Sequence, residues 1–367
     1  MEVKLVRVLF AVNTPYQMIV ALQLTSTEYQ NDVVDVLVTD NIAQYISIAE
    51  KAKQSGAFNC VYPMKAKGKK WPSWKYTALG FIYNKEIYRL FPAIKNNKYD
   101  IFLFANSGGV SECIATLLRK MQHTSLCMYE DGFVAYSDFY YKEIESAIYP
   151  NNLKSKLIYL HTKRAPFYIE KYYVFNPELL KNWKFPFEIR EIKKIDQETI
   201  PILNSVFDYE KTHENYDFDY IFFEESYFAD GQEVGDVDIV EAIANIVGKE
   251  NIKIKIHPRN PENRFEKLGF ETNKETSTPW EVIALNINLQ GKKLITISSG
   301  SSITSYFISG KKADKSILLY EMEGINRSKL TPSLVVFDKI CKNDSYFVYP
   351  HTMDELKNIL LEKKELI

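Results

Sequence analysis

Apolar positions in this chain fall in short dense runs rather than long helical stripes. Val6 to Val12, Val34 to Val38, Ile101 to Ala105 and Ser125 to Tyr129 are β-branched or apolar, stop at small or polar residues, and precede helix-like segments. Runs without a polar face are what a parallel sheet covered on both sides requires, so the rhythm predicts an α/β unit. It returns at Tyr220 to Phe223, Ile252 to Ile256, Leu294 to Ile297, Ser316 to Tyr320 and Tyr346 to Tyr349. Two Rossmann-like halves facing a central cleft are predicted, residues 1–185 and 186–350. A terminal helix over 351–367, capped by Thr352 and carrying leucines at helical spacing, is predicted to pack back on the first half. The stretch from Leu160 to Ile200, with prolines and aromatics but no helical period, reads as the first half's last strand and a linker.

In open α/β sheets ligands collect beyond the carboxyl ends of the strands, so motifs there carry the most weight. Asn13 ends the first strand, and Thr14-Pro15-Tyr16-Gln17 reads as a capping box opening a helix whose free N–H groups can meet a substrate. Glu130-Asp131-Gly132 follows the Ser125 run; a glycine that turns the backbone sharply lets one carboxylate face a substrate while the protein holds the other, as a general base needs. An ordinary acidic turn has the same composition. In IKIKIHP, Ile252, Ile254 and Ile256 share a strand face, and Pro258 holds His257 extended at the strand end. With an unperturbed pKa near 6.5, a histidine there can give a proton or a charge-assisted hydrogen bond to a phosphate. Ser298-Ser299-Gly300-Ser301-Ser302 ends another strand and offers hydroxyls and N–H groups as a phosphate cradle. Glu281, after Pro279-Trp280, can accept from a ribose or base.

Composition narrows the function classes. With 367 residues and 46% hydrophobic content the chain can bury two cores. A net charge of -1 provides no general field for nucleic acid, so anions are recognised locally. Cys60, Cys113, Cys127 and Cys341 lie far apart without a CxxC pair and read as free thiols in a reducing compartment. The charged N-terminus and the lack of an 18-residue uncharged apolar run predict a cytoplasmic protein, able to touch the inner face of the plasma membrane. There is no GxGxxG or GxxxxGK. Asp217-Phe218-Asp219 and Asp236-Val237-Asp238 read as caps rather than metal ligands, and Glu224-Glu225, ending the strand IFFEE, as a solvated acidic turn, with a place lining the cleft as the alternative. Lys65 to Tyr76 interleaves lysines with Trp71 and Trp74 and suits an anionic membrane surface or glycan.

The ordered set of Glu130-Asp131-Gly132, His257-Pro258, Glu281 and Ser298-Ser299 resembles the bacterial sialyltransferases, and AVNTPYQMIVAL near the N-terminus resembles the opening of glycosyltransferase family 52. The resemblance implies a GT-B fold and inverting, metal-independent transfer of sialic acid from CMP-sialic acid to a hydroxyl of a lipooligosaccharide or capsule glycan, with no cofactor. It implies Asp131 as general base supported by Glu130, His257 assisting the departing phosphate, and Ser298 and Ser299 binding it. Glu281 would hold the cytidine ribose, with Pro258 and Gly132 completing the donor contacts and Asn13, Thr14 and Gln17 available to the acceptor. A homodimer is permitted. Glucosyl transfer from another nucleotide sugar within the family, or a non-catalytic nucleotide- or glycan-binding module, are the competing readings.

Overall fold

The computed structural model describes residues 5–67, 81–105, 109–149, 153, 168–212, 214–330, 334–341 and 344–362. The chain divides into two compact units, Met1–Phe207 and Asp208–Ile367.

In the first unit seven strands form one parallel sheet: β1 (Arg7–Val12), β2 (Val33–Thr39), β3 (Cys60–Met64), β4 (Ile101–Phe104), β5 (Ser125–Tyr129), β6 (Ile169–Val174) and β7 (Glu188–Glu191). Their order is β3-β2-β1-β4-β5-β6-β7. The chain runs outward from β1, then returns to lay β4 against β1's free side. Ligands in such sheets gather at that switch point. Central strands are buried on both faces, as their unbroken apolar sequences require. Thr14 caps the Pro15–Ser26 helix by accepting from the Gln17 N–H at 3.2 Å, with Pro15 in the first turn.

The second unit repeats the plan with β8 (Tyr220–Phe223), β9 (Ile252–Lys255), β10 (Glu271–Thr272), β11 (Lys293–Thr296), β12 (Lys315–Leu318) and β13 (Phe347–Val348). All pairings are parallel, in the order β10-β9-β8-β11-β12-β13, and the switch point lies between β8 and β11. One face carries a core of Phe222, Ile254, Ile256, Ile295 and Ile297 against the Asp236–Val247 helix.

Three expectations change. The segment from Leu160 to Ile200 holds two strands, β6 and β7, rather than a strand and a linker. The β7 sequence, EIRE, is an exposed edge strand, and its charges blunt the open edge while hiding it from a hydrophobic pattern. The division between units falls after Phe207 instead of residue 185, because β7 pairs with β6 and the Ile200–Val206 helix packs on the Tyr45–Gln54 helix. The closing helix, Met353–Leu361, is capped by Thr352 as expected, yet its apolar face completes the second unit. Leu356 and Leu360 are buried in that unit's core, and the Tyr220 hydroxyl donates to the Leu360 carbonyl at 2.9 Å. Of the basic, tryptophan-bearing stretch, residues 68–76 lie outside the described residues. Among the described residues no helix is long and apolar enough to cross a membrane.

Candidate active site

Each unit gathers sequence-predicted residues at the carboxyl ends of its central strands. In the first, β5 ends in Glu130 and Asp131, whose side chains part company. Glu130 is completely buried and accepts from the Tyr16 and Tyr136 hydroxyls and, at 2.7 Å, from the Phe175 N–H. Burial pushes its carboxyl up to about 7 against those three donors. Asp131 keeps partial exposure and accepts from the Thr14 hydroxyl at 3.3 Å. Burial raises its pKa, while Gln17 and Thr14 favour the ionised form. The next residue, Gly132, has φ +68, a left-handed backbone that a side chain rarely tolerates, and it lets the chain turn away from Asp131. One carboxylate is a strut and its neighbour is presented.

Asn13 and Gln17 belong to the frame around this pair. The Asn13 N–H donates to Gln17 Oε1 at 2.7 Å, its amide to the Ser111 hydroxyl at 3.1 Å, and its carbonyl accepts from Thr39 at 2.8 Å. Asn13 is therefore committed to tying β1, β2 and the Gly109–Gln122 helix together. Among the acceptor candidates Thr14 reaches Asp131 directly.

In the second unit, strand register sets the geometry. Phe223 pairs with Lys255 on one side and Thr296 on the other, placing those three side chains in one row. Two residues further along, on the same face, come Glu225, His257 and Ser298. The opposite face is the apolar core, which explains the alternation in IKIKIH: isoleucines inward, Lys253, Lys255 and His257 toward the helix beginning at Trp280. The rings of Phe223 and Trp280 stand 4.8 Å apart on that side.

His257 is held from two directions. Its N–H donates to Glu224 Oε2 at 3.2 Å, and its Nδ1 accepts from the Arg259 N–H at 3.2 Å. With Nδ1 occupied as an acceptor, the ring proton of the neutral imidazole sits on Nε2, available to a ligand. Burial, with Arg259 and Lys255 nearby, lowers its pKa to about 4. This corrects the sequence expectation: without a ligand the group is a neutral imidazole, not an imidazolium, at neutral pH. Beside it opens a cavity of about 420 Å³ lined by His257, Pro258, Asn260, Asn263, Asn273 and Thr276.

Ser298 and Ser299 differ in what they can offer. The Ser298 N–H donates to Glu225 Oε1 at 2.7 Å, and its hydroxyl shares a 2.7 Å hydrogen bond with Tyr227. The Ser299 N–H donates to Thr296 at 2.8 Å, whereas its Oγ accepts from the Ser301 N–H at 3.3 Å and keeps its own proton to give. The helix Ser301–Ser309 follows. Glu281, in the first turn of Trp280–Asn286, is buried and accepts from the Thr304 hydroxyl at 2.5 Å; burial raises its pKa.

Sequence reasoning missed two groups here. Glu224 and Glu225 are not a solvated turn. Glu224 is 3% exposed, is paired with Arg264 at 2.9 Å, and supports His257; Glu225 supports Ser298. Asp236 joins Glu224 on Arg264. Lys255 is buried, its ammonium group makes no hydrogen bond or ion pair with the described residues, and its pKa is lowered by burial to about 8 with Glu214, Glu281 and Glu275 in electrostatic range. The alternation that placed the isoleucines on one face also placed Lys255 under His257, and that signal was readable. Among the described residues no three His, Cys, Asp or Glu side chains are grouped to hold a metal ion.

Solved structures resemble the chain along nearly its whole length. Spinosyn forosaminyltransferase SpnP matches with a TM-score of 0.55 at 8% identity, covering 97% of this chain and 90% of its own. LpCGTa in complex with UDP matches at 0.54 and 7% identity, covering 98% and 91%. A UDP-N-acetylglucosamine 2-epimerase matches at 0.50 and 13% identity, covering 98% and 88%. At such identities the likeness establishes the fold, which is GT-B. No curated protein matches the chain. The sequence does match the alpha-2,8-polysialyltransferase (POLYST) family over residues 8–316, a span that contains every motif discussed above. The chain belongs to that family of bacterial sialyltransferases and is a glycosyltransferase.

Proposed function

We propose that the protein is an inverting, metal-independent sialyltransferase that moves sialic acid from CMP-sialic acid to a hydroxyl of a bacterial surface glycan, in lipooligosaccharide or capsule synthesis. The observation that carries this reading is the acid pair ending β5, a partly exposed Asp131 beside a wholly buried Glu130. A carboxylate whose pKa burial has raised is a better base than an ordinary surface aspartate, and Asp131 takes the proton of the acceptor hydroxyl as it attacks the sugar. Glu130 keeps the turn in place through Tyr16, Tyr136 and Phe175.

The second unit would hold the donor. The departing CMP is a phosphate monoester, already a competent leaving group, and its growing charge is met by neutral donors: His257 Nε2–H and the Ser299 hydroxyl. An approaching phosphate raises the imidazole's pKa from its low starting value, so His257 strengthens as a donor when occupied. Glu281 and Lys255 supply an acceptor and a donor for the nucleoside. The family's description favours a sialic acid-terminated acceptor, hence chain extension.

Release of CMP from CMP-sialic acid, followed in EDTA with lactose-terminated and sialylated acceptors, tests the reading. Acceptor-dependent turnover that survives chelation, prefers the sialylated acceptor and falls by about 10²-fold or more in both Asp131→Ala and His257→Ala is expected. CMP binding without turnover on any acceptor would point to another donor sugar or a binding module.

A further inference from the structure

Glu225 stands just beyond the carboxyl end of β8, beside the switch point of the second sheet, with His257 just beyond β9 on one side and Ser298 just beyond β11 on the other. The strands that lead to these two residues, β9 and β11, each pair with β8, and neighbouring strands lie about 4.8 Å apart. Its Oε1 accepts from the Ser298 N–H at 2.7 Å and from the Thr296 hydroxyl. Its Oε2 is buried and has no hydrogen-bond partner, and no lysine or arginine among the described residues pairs with it. Ser298 and Ser299, which the sequence assigned to a phosphate, thus adjoin a carboxyl group with one oxygen uncommitted. Two anions in one site repel, so this carboxyl cannot stay ionised beside a bound phosphate without cost.

We propose that Glu225 is a positioning residue for the donor's phosphate, bracing the Thr296–Ser299 turn and taking up a proton when the phosphate monoester binds. The inference rests on reading the second unit as the donor site. On arrival of the anion one proton passes from solvent to the carboxylate, and it returns when CMP leaves. The carboxyl already lies near 7 because burial raises it, and Asp236 on the Asp236–Val247 helix adds to the shift. The Ser298 and Ser299 N–H groups and the Thr296 hydroxyl oppose it. The other titratable and charged groups nearby are Tyr227, bonded to Ser298, His257 just beyond β9, Lys255 in the row beneath, and Glu224 with its Arg264 partner.

The sign follows from linkage. A bound phosphate raises the carboxyl's pKa, so binding takes up a proton above the free value and affinity falls as pH rises through 7. Glu225→Gln keeps an acceptor for Ser298 and mimics the protonated form at every pH.

Isothermal titration of CMP at pH 6 and pH 8, in buffers of different ionisation heat, tests this with wild type, Glu225→Gln and His257→Asn. Glu225→Gln is expected to match wild type at pH 6 and to bind about tenfold more tightly at pH 8, one pH unit above the free carboxyl's pKa. Proton uptake should persist in His257→Asn and shrink in Glu225→Gln. A purely structural brace would leave Glu225→Gln weaker at both pH values, and an affinity–pH curve parallel to wild type would equally overturn the inference. Undiminished proton uptake in Glu225→Gln would overturn it as well. Wild type that fails to bind CMP at either pH would overturn the donor-site reading itself, and this inference with it.

Discussion

Burial turns three titratable side chains of this protein away from their ordinary behaviour. Glu130 and Glu225 are both pushed up to about 7 and His257 down to about 4, in each case with burial as the largest cause. For the two acids the folded pKa exceeds the unfolded one, so between about pH 4.5 and 7 the native state holds protons that the unfolded chain has lost, and stability declines as pH rises through that window. His257 works in the opposite sense between about pH 4 and 6.5, where the unfolded chain binds the extra proton. Glu130→Gln is expected to flatten this decline with rising pH, seen as a smaller change in urea midpoint between pH 5 and 7 than in wild type. Tyr136→Phe should cost about 1–3 kcal/mol, since its hydroxyl both donates to Glu130 and accepts from the Asn176 N–H. The positions of Asp131 and His257 at strand ends were legible because a glycine and a proline mark where the backbone must turn or stop. Glu225 was not legible: two adjacent glutamates look like solvent-facing residues until neighbouring strands bury them.

Elements built from unbroken apolar runs were readable almost residue by residue, as with β5 and β8. Those missed fail the same rule for physical reasons. The β3 sequence, CVYPM, is a half-exposed edge strand carrying a proline, β7 is an edge strand of charges, and β10 has only two residues. The closing helix was found from its cap and spacing, but a hydrophobic stripe does not say which surface it will cover. Leu360→Ala should therefore destabilise the second unit by about 2–5 kcal/mol, measured by denaturant unfolding. Gly235, at the start of the Asp236–Val247 helix, has φ +88, and an added Cβ would lie 2.6 Å from the Gly324 carbonyl oxygen. Gly235→Ala is expected to lower the melting temperature, since both the backbone conformation and the contact oppose the methyl group.

At the scale of the chain, two units with separate cores are expected to melt as two calorimetric transitions rather than one. A ligand that binds one unit raises only that unit's transition, by about 2.7 kcal/mol at a hundred times its dissociation constant. Under the proposed placing of the donor on the second unit, CMP should move the transition that Leu360→Ala lowers and leave the other in place. The paired α/β architecture was visible in the rhythm of runs, and the family in the order of four motifs. Fold alone would have left the chemistry open, since transferases and an epimerase share it.

Both sheets place their innermost seam between strands that are remote in sequence: Val8 lies against Ile101, and Tyr220 against Lys293. Seams of that kind close slowly during folding, because a long loop must lose its freedom before any contact rewards it. The residues that would bind donor and acceptor hang from those seams or from the strands beside them. During refolding, ligand-binding competence should therefore emerge with the slowest phase of the unit concerned, after most helical signal has returned.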